Sequence, residues 1–271
     1  MATLTGAHAD RVSRVRDLQS AKGRKEHGQF AFEGPTLLEE ALRSGVAVEE
    51  LYVTDAVLAS NARVRELDAL GTAVFVVDDR TLRKISDLET PTGLVAVAPQ
   101  RLADLATVVR GGLTLALADL NDPGNVGTLL RSAEAFGASG VVLGRFGVDP
   151  YHPKVVRGAM GSIFRLPLAV ATAQEFAAAI TAAGTRAIGL TTGGEELERL
   201  AFVGASTALV VGHERRGLGS WEFAGMKQAR IAMQGDAESL NAAVAGSIAL
   251  YVLSQDCQES LGGAKSQDYR P

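Results

Sequence analysis

The stretch from residue 113 to residue 143 constrains the fold more than any other part of the chain. Residues 113–120 form a short apolar run, which is typical of a strand buried on both faces of a sheet. After a turn that contains Pro and Gly, residues 126–136 show helical spacing, and Gly137 suits the helix end. Residues 140–143 are a second apolar run. This order predicts two parallel strands joined by a crossover helix.

Two polar residues in this stretch have both a structural and a functional interpretation. Asn125 lies where the helix is expected to begin, and Asn is a favoured N-cap residue. Arg131 lies nearly opposite the apolar face, where a solvated surface charge is the ordinary interpretation. Taken alone, the segment favours the structural interpretation of both residues.

The composition is that of a globular protein, with 46% hydrophobic and 21% charged residues in a chain of 271. The length allows one large domain or two. No apolar run reaches the length of a membrane span and the first residues lack a signal-peptide pattern, so we expect a cytoplasmic protein without a membrane partner. The single cysteine, Cys257, excludes an intrachain disulfide, and the four histidines lack metal-ligand spacing, so no metal is expected.

The charge is unevenly distributed along the chain. The net charge of −4 argues weakly against a general nucleic-acid binder. Residues 11–25, however, carry six Lys and Arg residues against one acidic residue, Asp17. A solvated helix face and a phosphate-binding surface explain this basic stretch about equally well.

The order of strand and helix patterns predicts two α/β units. We expect a first domain over residues 1–100, a linker over 101–112, a second domain over 113–258 and a flexible tail over 259–271. One continuous sheet is the alternative. Other predictions are single helices over 8–21, 57–69, 154–162 and 239–253, and a last strand over 230–234. The last of these helices is apolar or small on nearly every side, which predicts burial within its own domain or a subunit interface.

Three strands of the second unit run into glycine-containing polar segments. These segments begin at Thr192, Gly212 and Gln234. The carboxyl ends of parallel strands bind ligands, so the three ends predict one pocket, with three tight turns as the alternative. The chain lacks a dinucleotide fingerprint, a Walker loop and a Ser–Gly elbow. What remains is a site of backbone amides with Asn, Arg, Glu and Ser, which suits a neutral or zwitterionic ligand.

Three ordered motifs in this unit carry a resemblance to a known family. They are Asn125-x5-Arg131, Gly212-x-Glu214-x-x-Gly217 and Ile231-x-Met233-x5-Ser239-Leu-Asn241. In order and spacing they resemble the motifs of the SpoU/TrmH family of RNA 2′-O-ribose methyltransferases, in the SPOUT superfamily. The first unit, through Gly28-x-Phe30-x-x-Glu33-Gly34, resembles the L30e/L7Ae-like substrate-binding domain that precedes the catalytic domain in many ribosomal RNA members.

The resemblance implies a fold and a function. The fold would be an α/β SPOUT-type parallel sheet with a C-terminal deep trefoil knot near residues 212–241, preceded by a smaller L30e-like domain. The protein would use S-adenosyl-L-methionine to methylate ribose 2′-hydroxyls of RNA and would form a homodimer. A two-domain layout favours 23S ribosomal RNA, including an antibiotic-resistance type. A tRNA methyltransferase and a non-catalytic RNA-binding or ribosome-assembly protein are the alternatives.

The resemblance also assigns site residues. The catalytic residues would be Arg131, Asn125, Glu214, Ser239 and Asn241. Cofactor-binding residues would be Thr191, Thr192, Gly193, Val211, Gly212, Glu214, Ile231, Met233, Ser239 and Leu240. RNA would contact Arg11, Arg14, Arg24, Lys25 and Arg131.

The expected roles follow from the chemistry of these side chains. A guanidinium stays protonated and is a poor base, so Arg131 would grip a phosphate and stabilise developing alkoxide charge. Glu214 would orient Arg131 or contact the bound nucleotide, and the remaining residues would hold the site by hydrogen bonds. The third motif departs from the family pattern at Ala232, which replaces a proline, and at Ala242-Ala243. Neither change removes a polar group that has an assigned role.

Overall fold

The computed structural model describes residues 2–3, 9–200, 206–235 and 239–260. It divides the chain into two compact units. The first comprises Met1–Arg101 and Asp149–Arg165, and the second comprises Leu102–Val148 and Leu166–Pro271. Most of the predicted tail, residues 261–271, lies outside the described residues, whereas residues 259–260 belong to the last helix. No helix among the described residues is both long and apolar enough to cross a membrane.

The strands of the two units form two separate sheets. The strands are β1 (Ala2–Thr3), β2 (Gln29–Glu33), β3 (Glu50–Val53), β4 (Ala73–Val76), β5 (Leu94–Pro99), β6 (Leu113–Leu117), β7 (Gly140–Gly144), β8 (Leu168–Ala171), β9 (Arg186–Glu196), β10 (Thr207–Val211) and β11 (Lys227–Arg230). The sheet of the first unit has the order β1-β4-β3-β5-β2, and the sheet of the second has the order β11-β9-β10-β6-β7-β8. In the first sheet β5 runs antiparallel to β2 and β3. Every neighbouring pair in the second sheet is parallel.

The helices flank these sheets. They are α1 (Ala9–Asp17), α2 (Ala21–His27), α3 (Pro35–Arg43), α4 (Asp55–Ser60), α5 (Ala62–Ala69), α6 (Asp79–Ile85), α7 (Leu105–Arg110), α8 (Pro123–Ala135), α9 (Pro153–Gly158), α10 (Ser162–Arg165), α11 (Ala173–Ala183) and α12 (Ala242–Ser260).

Three predicted helices end earlier than predicted, and a second short helix follows each of them. The helix predicted over 8–21 is interrupted because Ser20 caps α2, its side chain accepting from the backbone N–H of Gly23. The helix predicted over 57–69 is interrupted in the same way at Asn61, which caps α5. Between α9 and α10 the backbone takes positive φ at Met160 and Gly161. Side-chain caps and left-handed turns end helices that the apolar spacing alone would continue.

The strand–helix–strand unit predicted from residues 113–143 is confirmed. β6 pairs in parallel with β7, and α8 crosses between them. The predicted cap is wrong, however, because the N-cap of α8 is Asp122, whose carboxylate accepts from the backbone N–H of Asn125 at 2.7 Å. The Asn125 side chain is therefore available for other contacts. Gly137, with φ of 71°, follows the end of the helix as predicted.

The C-terminal elements begin and end at other residues than predicted. The last strand is β11, which ends at Arg230 because its partner β9 ends at Glu196, opposite Arg230. The predicted strand over 230–234 is therefore wrong. The last helix begins at Ala242, because the side-chain oxygen of Asn241 accepts from the backbone N–H groups of residues 243 and 244. The parallel sheet predicted for the second unit is confirmed, and the trefoil knot stays a prediction.

Arg24 is a structural residue of the first unit. It is only 1% exposed, and its Nε donates to Asp149 Oδ2 at 2.6 Å. Its guanidinium also donates to the carbonyl groups of Leu18 and Gln19 at 2.9 Å each. Residues 149–165, which the sequence places in the second domain, pack on the first unit partly through this contact.

Replacing Arg24 with methionine should destabilise the first unit, because Asp149 would lose its ion-pair partner and two carbonyl groups their donor. Breaking a buried ion pair costs about 3–5 kcal/mol, and the 27% exposure of the Asp149 side chain puts the expected loss at about 3 kcal/mol. Urea denaturation followed by circular dichroism measures it. Lys25→Met is the matched control, because Lys25 is exposed on the same helix, and should change stability by less than about 0.5 kcal/mol. Equal losses in both variants would contradict this role.

Candidate active site

A pocket lies at the carboxyl end of β10 and beside the middle of β9, which continues past the predicted strand end to Glu196. Its volume is about 440 Å³, within the range of small-molecule sites. The lining residues are Leu190, Thr191, Thr192, Val211, Gly212, His213, Glu214, Gly217, Ile231, Met233, Ser239, Leu240, Ala242 and Ala245. We call this cavity the strand-end pocket. It contains residues from all three predicted strand ends, so the structure brings these segments together.

The strand-end pocket includes nearly all residues that the family resemblance assigns to the cofactor. Gly193 is the exception, because it does not line the cavity. Its carbonyl group accepts from the Thr191 hydroxyl at 2.6 Å, which fixes the backbone next to the pocket. Gly212 is required for close packing, since a Cβ there would lie 2.5 Å from the backbone of Gly217.

A second, more open cavity lies beside the pocket. It has a volume of about 500 Å³ and is lined only by polar side chains: Asn121, Asp122, Asn125, His213, Glu214, Arg215 and Asn241. We call it the polar cleft. His213 and Glu214 line both cavities and therefore lie at their boundary.

A chain of hydrogen bonds joins one residue from each of the three motifs. Asn241 Nδ2 donates to Asn125 Oδ1 at 3.1 Å, and Asn125 Nδ2 donates to Glu214 Oε1 at 2.7 Å. Because Asn241 Oδ1 also caps α12, the positions of the three side chains are coupled to the start of that helix. The partner of Glu214 in this chain is Asn125, whereas the sequence interpretation paired Glu214 with Arg131 or the nucleotide.

His213 is a site residue that the sequence interpretation missed. Its Nδ1 lies 3.1 Å from the backbone nitrogen of Arg215, which donates to it. Nε2 lies 3.2 Å from the side-chain amide of Asn121. The signal in the sequence was the position of His213 next to Glu214 in the second motif. The histidines were considered only as metal ligands, and His213 was therefore not assigned to the site. Among the described residues no group of His, Cys, Asp and Glu could hold a metal ion.

Arg131 and Ser239 reach the site to different extents. Ser239 lines the strand-end pocket. Arg131 is exposed on α8 and lines neither cavity. Within the described part of the chain, its guanidinium has no hydrogen bond or ion pair. An exposed cation without a carboxylate partner is available to a phosphate group from outside its own chain.

The residues of the predicted RNA surface in the first unit differ in their availability. Arg11 and Arg14 each pair with Glu50 at 2.5 Å, so that carboxylate offsets part of their charge. Arg24 is buried and paired with Asp149, so it is not part of the proposed RNA surface. Lys25 is exposed.

Comparison with known proteins identifies the family. The model of the SpoU rRNA Methylase family matches residues 112–251, and the MRM3-like substrate binding domain matches residues 9–96. The chain belongs to the SpoU rRNA methylase family, as the three motifs predicted. The smaller domain in front of it is a substrate-binding domain.

Relatives and solved structures extend the match over both units. The Bacillus subtilis 23S rRNA (guanosine(2553)-2′-O)-methyltransferase RlmP is 29% identical over 257 residues, which cover 93% of this chain and 99% of the relative. The 23S rRNA (adenosine(1067)-2′-O)-methyltransferase of Streptomyces laurentii is 29% identical and covers 79% of this chain and 81% of its own. The AdoMet-bound rRNA methyltransferase from Sinorhizobium meliloti has a TM-score of 0.82 at 30% identity, covering 93% and 97% of the two chains. The predicted function is the one that these relatives are named for.

The hydrogen bond between Asn125 and Glu214 gives a prediction with a defined pH dependence. Asn125→Asp would put a second carboxylate where the amide lies 2.7 Å from Glu214, and should lower the free energy of unfolding by about 2 kcal/mol at pH 7. Repulsion raises the pKa of the introduced carboxyl group, so the folded state binds more protons than the unfolded state. The difference in free energy of unfolding between wild type and Asn125→Asp should therefore become smaller as the pH falls from 7 to 5.

The control for this experiment is Asn125→Ala, which removes the same hydrogen bonds without adding a charge. Its loss of stability relative to wild type should stay constant over this pH range. Urea denaturation at both pH values measures the two variants. Parallel pH profiles would show that the two side chains are not in contact.

Proposed function

We propose that this protein transfers the methyl group of S-adenosyl-L-methionine to a ribose 2′-hydroxyl of 23S ribosomal RNA. The observation that carries the proposal is the hydrogen-bonded chain from Asn241 through Asn125 to Glu214 at the boundary of the two cavities. It holds the three family motifs together between a pocket for the methyl donor and a cleft for the acceptor. The named relatives, which methylate 23S RNA, support this choice.

The chemistry of the strand-end pocket fits the proposed cofactor. Ile231 and Leu240 give it apolar surface for a flat adenine ring, and the hydroxyl groups of Thr191, Thr192 and Ser239 give it polar partners. S-adenosylmethionine supplies an activated methyl group on a sulfonium, so the protein needs mainly to orient the acceptor hydroxyl towards it.

The polar cleft fits a nucleotide. Asn125, Asn241 and Asn121 offer amide groups, and Arg215 offers a cation for a phosphate. Arg131 would bind the phosphate next to the reacting ribose and stabilise the negative charge that develops on the 2′-oxygen. Glu214 accepts from Asn125 and so fixes the direction of that amide.

We infer that the protein is a homodimer whose active sites are completed across the interface. Three apolar side chains of α12 are exposed on one face: Val244 by 49%, Ile248 by 37% and Tyr251 by 52%. The Tyr251 ring packs at 5.6 Å on Phe136, directly after α8. A partner seated here would lie against the helix that carries Arg131, which lines neither cavity of its own chain.

Two alternatives have less support. The substrate-binding domain over residues 9–96 favours ribosomal RNA over tRNA as substrate. A resistance enzyme and a housekeeping enzyme would both catalyse the proposed reaction, so they are subtypes of the same function. A non-catalytic assembly protein would not require the hydrogen bonds that join the three motifs. It would also not require the Arg131 guanidinium, which has no partner among the described residues. The bacterial relative that spans 93% of the chain supports a cytoplasmic location.

Arg131→Ala should leave the dissociation constant for S-adenosylmethionine within about twofold and lower methyl transfer roughly 100-fold or more, because a charge partner of the transition state is lost. Calorimetry measures binding, and incorporation of tritiated methyl groups into unmodified 23S RNA transcribed in vitro measures transfer. Arg110→Ala is the control, an exposed arginine of the same unit, and should transfer at the wild-type rate. An Arg131→Ala variant with unchanged transfer would refute the assigned role, and a wild-type protein that neither binds the cofactor nor labels RNA would refute the function.

Ile248→Lys should weaken the dimer, because it places a charge in the centre of the exposed apolar face of α12. Light scattering at micromolar concentration should then give the mass of a monomer, against twice that mass for wild type. Leu102→Lys, at an apolar side chain that is 53% exposed in the same unit, should leave the dimer intact. A monomeric wild type would contradict the proposed dimer.

A further inference from the structure

Phe146 is a large apolar side chain that the reaction described above does not use. It lies in the loop after β7, and 74% of its surface is exposed. We call residues 145–148 the Phe146 loop. Isolated exposed apolar residues are common and need no explanation, so exposure alone carries no argument. The argument comes from how firmly the loop is held and from what lies beside it.

The Phe146 loop is fixed by backbone hydrogen bonds along its length. The N–H of Phe146 donates to Asp119 Oδ1 at 3.1 Å, and the N–H of Val148 donates to the Leu120 carbonyl at 2.8 Å. The N–H of Arg145 donates to the carbonyl of Ala171 at 2.8 Å. These bonds hold the backbone of the loop, and with it the Cα position of Phe146, in a defined place.

The backbone around this loop is close-packed and strained. Asp119 has φ of 52°, which is unfavourable for a residue with a side chain. A Cβ at Gly144 would lie 2.2 Å from Asp119 Oδ1, and a Cβ at Gly147 would lie 2.7 Å from the Leu120 carbonyl oxygen. Strained backbone of this kind is concentrated at functional sites.

The Phe146 loop lies against the strand end that leads into the polar cleft. Asp119 and Leu120, its hydrogen-bond partners, directly precede Asn121 and Asp122, which line the cleft. The cleft itself is lined only by polar residues. Phe146 therefore belongs to a loop that is bonded to the chain segment entering the cleft, and it is an aromatic residue next to a site that otherwise offers hydrogen bonds and charge.

The neighbouring cation, Arg145, is already paired. Its guanidinium donates to Glu175 Oε2 at 2.8 Å. The backbone N–H of Thr172 and the Arg145 guanidinium lower the pKa of Glu175 to about 2, so this ion pair stays charged throughout the neutral range. Arg145 is thus occupied, and the available group of the loop is the ring of Phe146.

We propose that Phe146 is a stacking platform for an unpaired base of the RNA, next to the nucleotide whose ribose occupies the polar cleft. This inference rests on the proposed function and adds a positioning residue to it. Proteins recognise RNA mainly in single-stranded segments, where bases stack on aromatic side chains. A second base held by stacking would fix the direction in which the strand enters the cleft, and with it the angle of the acceptor hydroxyl.

The test compares Phe146→Ala and Phe146→Trp with wild type, using unmodified 23S RNA transcribed in vitro. Loss of one stacked base should raise the KM for RNA in Phe146→Ala roughly tenfold or more and leave the affinity for S-adenosylmethionine unchanged. Phe146→Trp keeps an aromatic face and should keep the wild-type KM within about twofold. Leu102→Ala is the control, an exposed apolar residue of the same unit, and should not change the KM.

Fluorescence of Phe146→Trp gives a readout that does not depend on methyl transfer. The introduced tryptophan should be quenched when the transcript is added, whereas the only native tryptophan, Trp221, is 1% exposed and should contribute a constant signal. Quenching without methyl transfer in any variant would support stacking and refute the proposed function. Transfer without quenching, or a wild-type KM in Phe146→Ala, would refute stacking alone. A change of Phe146→Ala from dimer to monomer would make Phe146 a subunit contact and would also overturn the proposal.

Discussion

The hydrogen bond from Asn125 to Glu214 is the interaction on which the candidate site depends. It joins residues 89 positions apart, and through Asn241 it extends to the start of α12. A side-chain amide accepts through its oxygen and donates through its nitrogen, and it carries no charge. Asn125 therefore connects an amide donor to a carboxylate acceptor without placing two like charges together. The motifs are held at the boundary of the two cavities because this residue satisfies both neighbours.

The order of the strands brings these residues within reach of one another. β10 lies between β6 and β9, so its carboxyl end is next to the end of the strand that leads into α8. Because every pair in this sheet is parallel, all strands end at the same edge. Chain segments separated by about a hundred residues then supply one site, and the short turn between His213 and Gly217 places Glu214 above the strand end.

The sequence predicted the parallel unit and the location of the site, but it did not predict how the residues pair. Buried apolar strands and helical spacing are local signals, and β6 and β7 lie where the two apolar runs at 113–120 and 140–143 predicted strands. Asn125 was predicted to cap α8, because both Asn125 and Asp122 are favoured cap residues and only the structure shows that Asp122 has this role. Arg24 was assigned to an RNA surface because it lies in a basic stretch of the sequence. Its partner Asp149 is 125 positions away, so the pairing is not visible in the sequence. Charge clusters in a sequence do not reveal partners that the fold brings from elsewhere.

The functional interpretation of Arg131 depends on the residues that surround it in the fold. An arginine opposite the apolar face of a helix is ordinarily a solvated charge, and nothing within residues 113–143 says otherwise. The structure leaves its guanidinium unpaired among the described residues, although most of the other arginines discussed above have carboxylate partners. Its helix packs against α12, which exposes apolar side chains on the adjacent face. The proposed dimer explains both features, because a second copy would cover the apolar face of α12 and lie beside the Arg131 guanidinium. In the proposed dimer the covering chain would supply the cleft that this arginine does not reach in its own chain, and catalysis would depend on association.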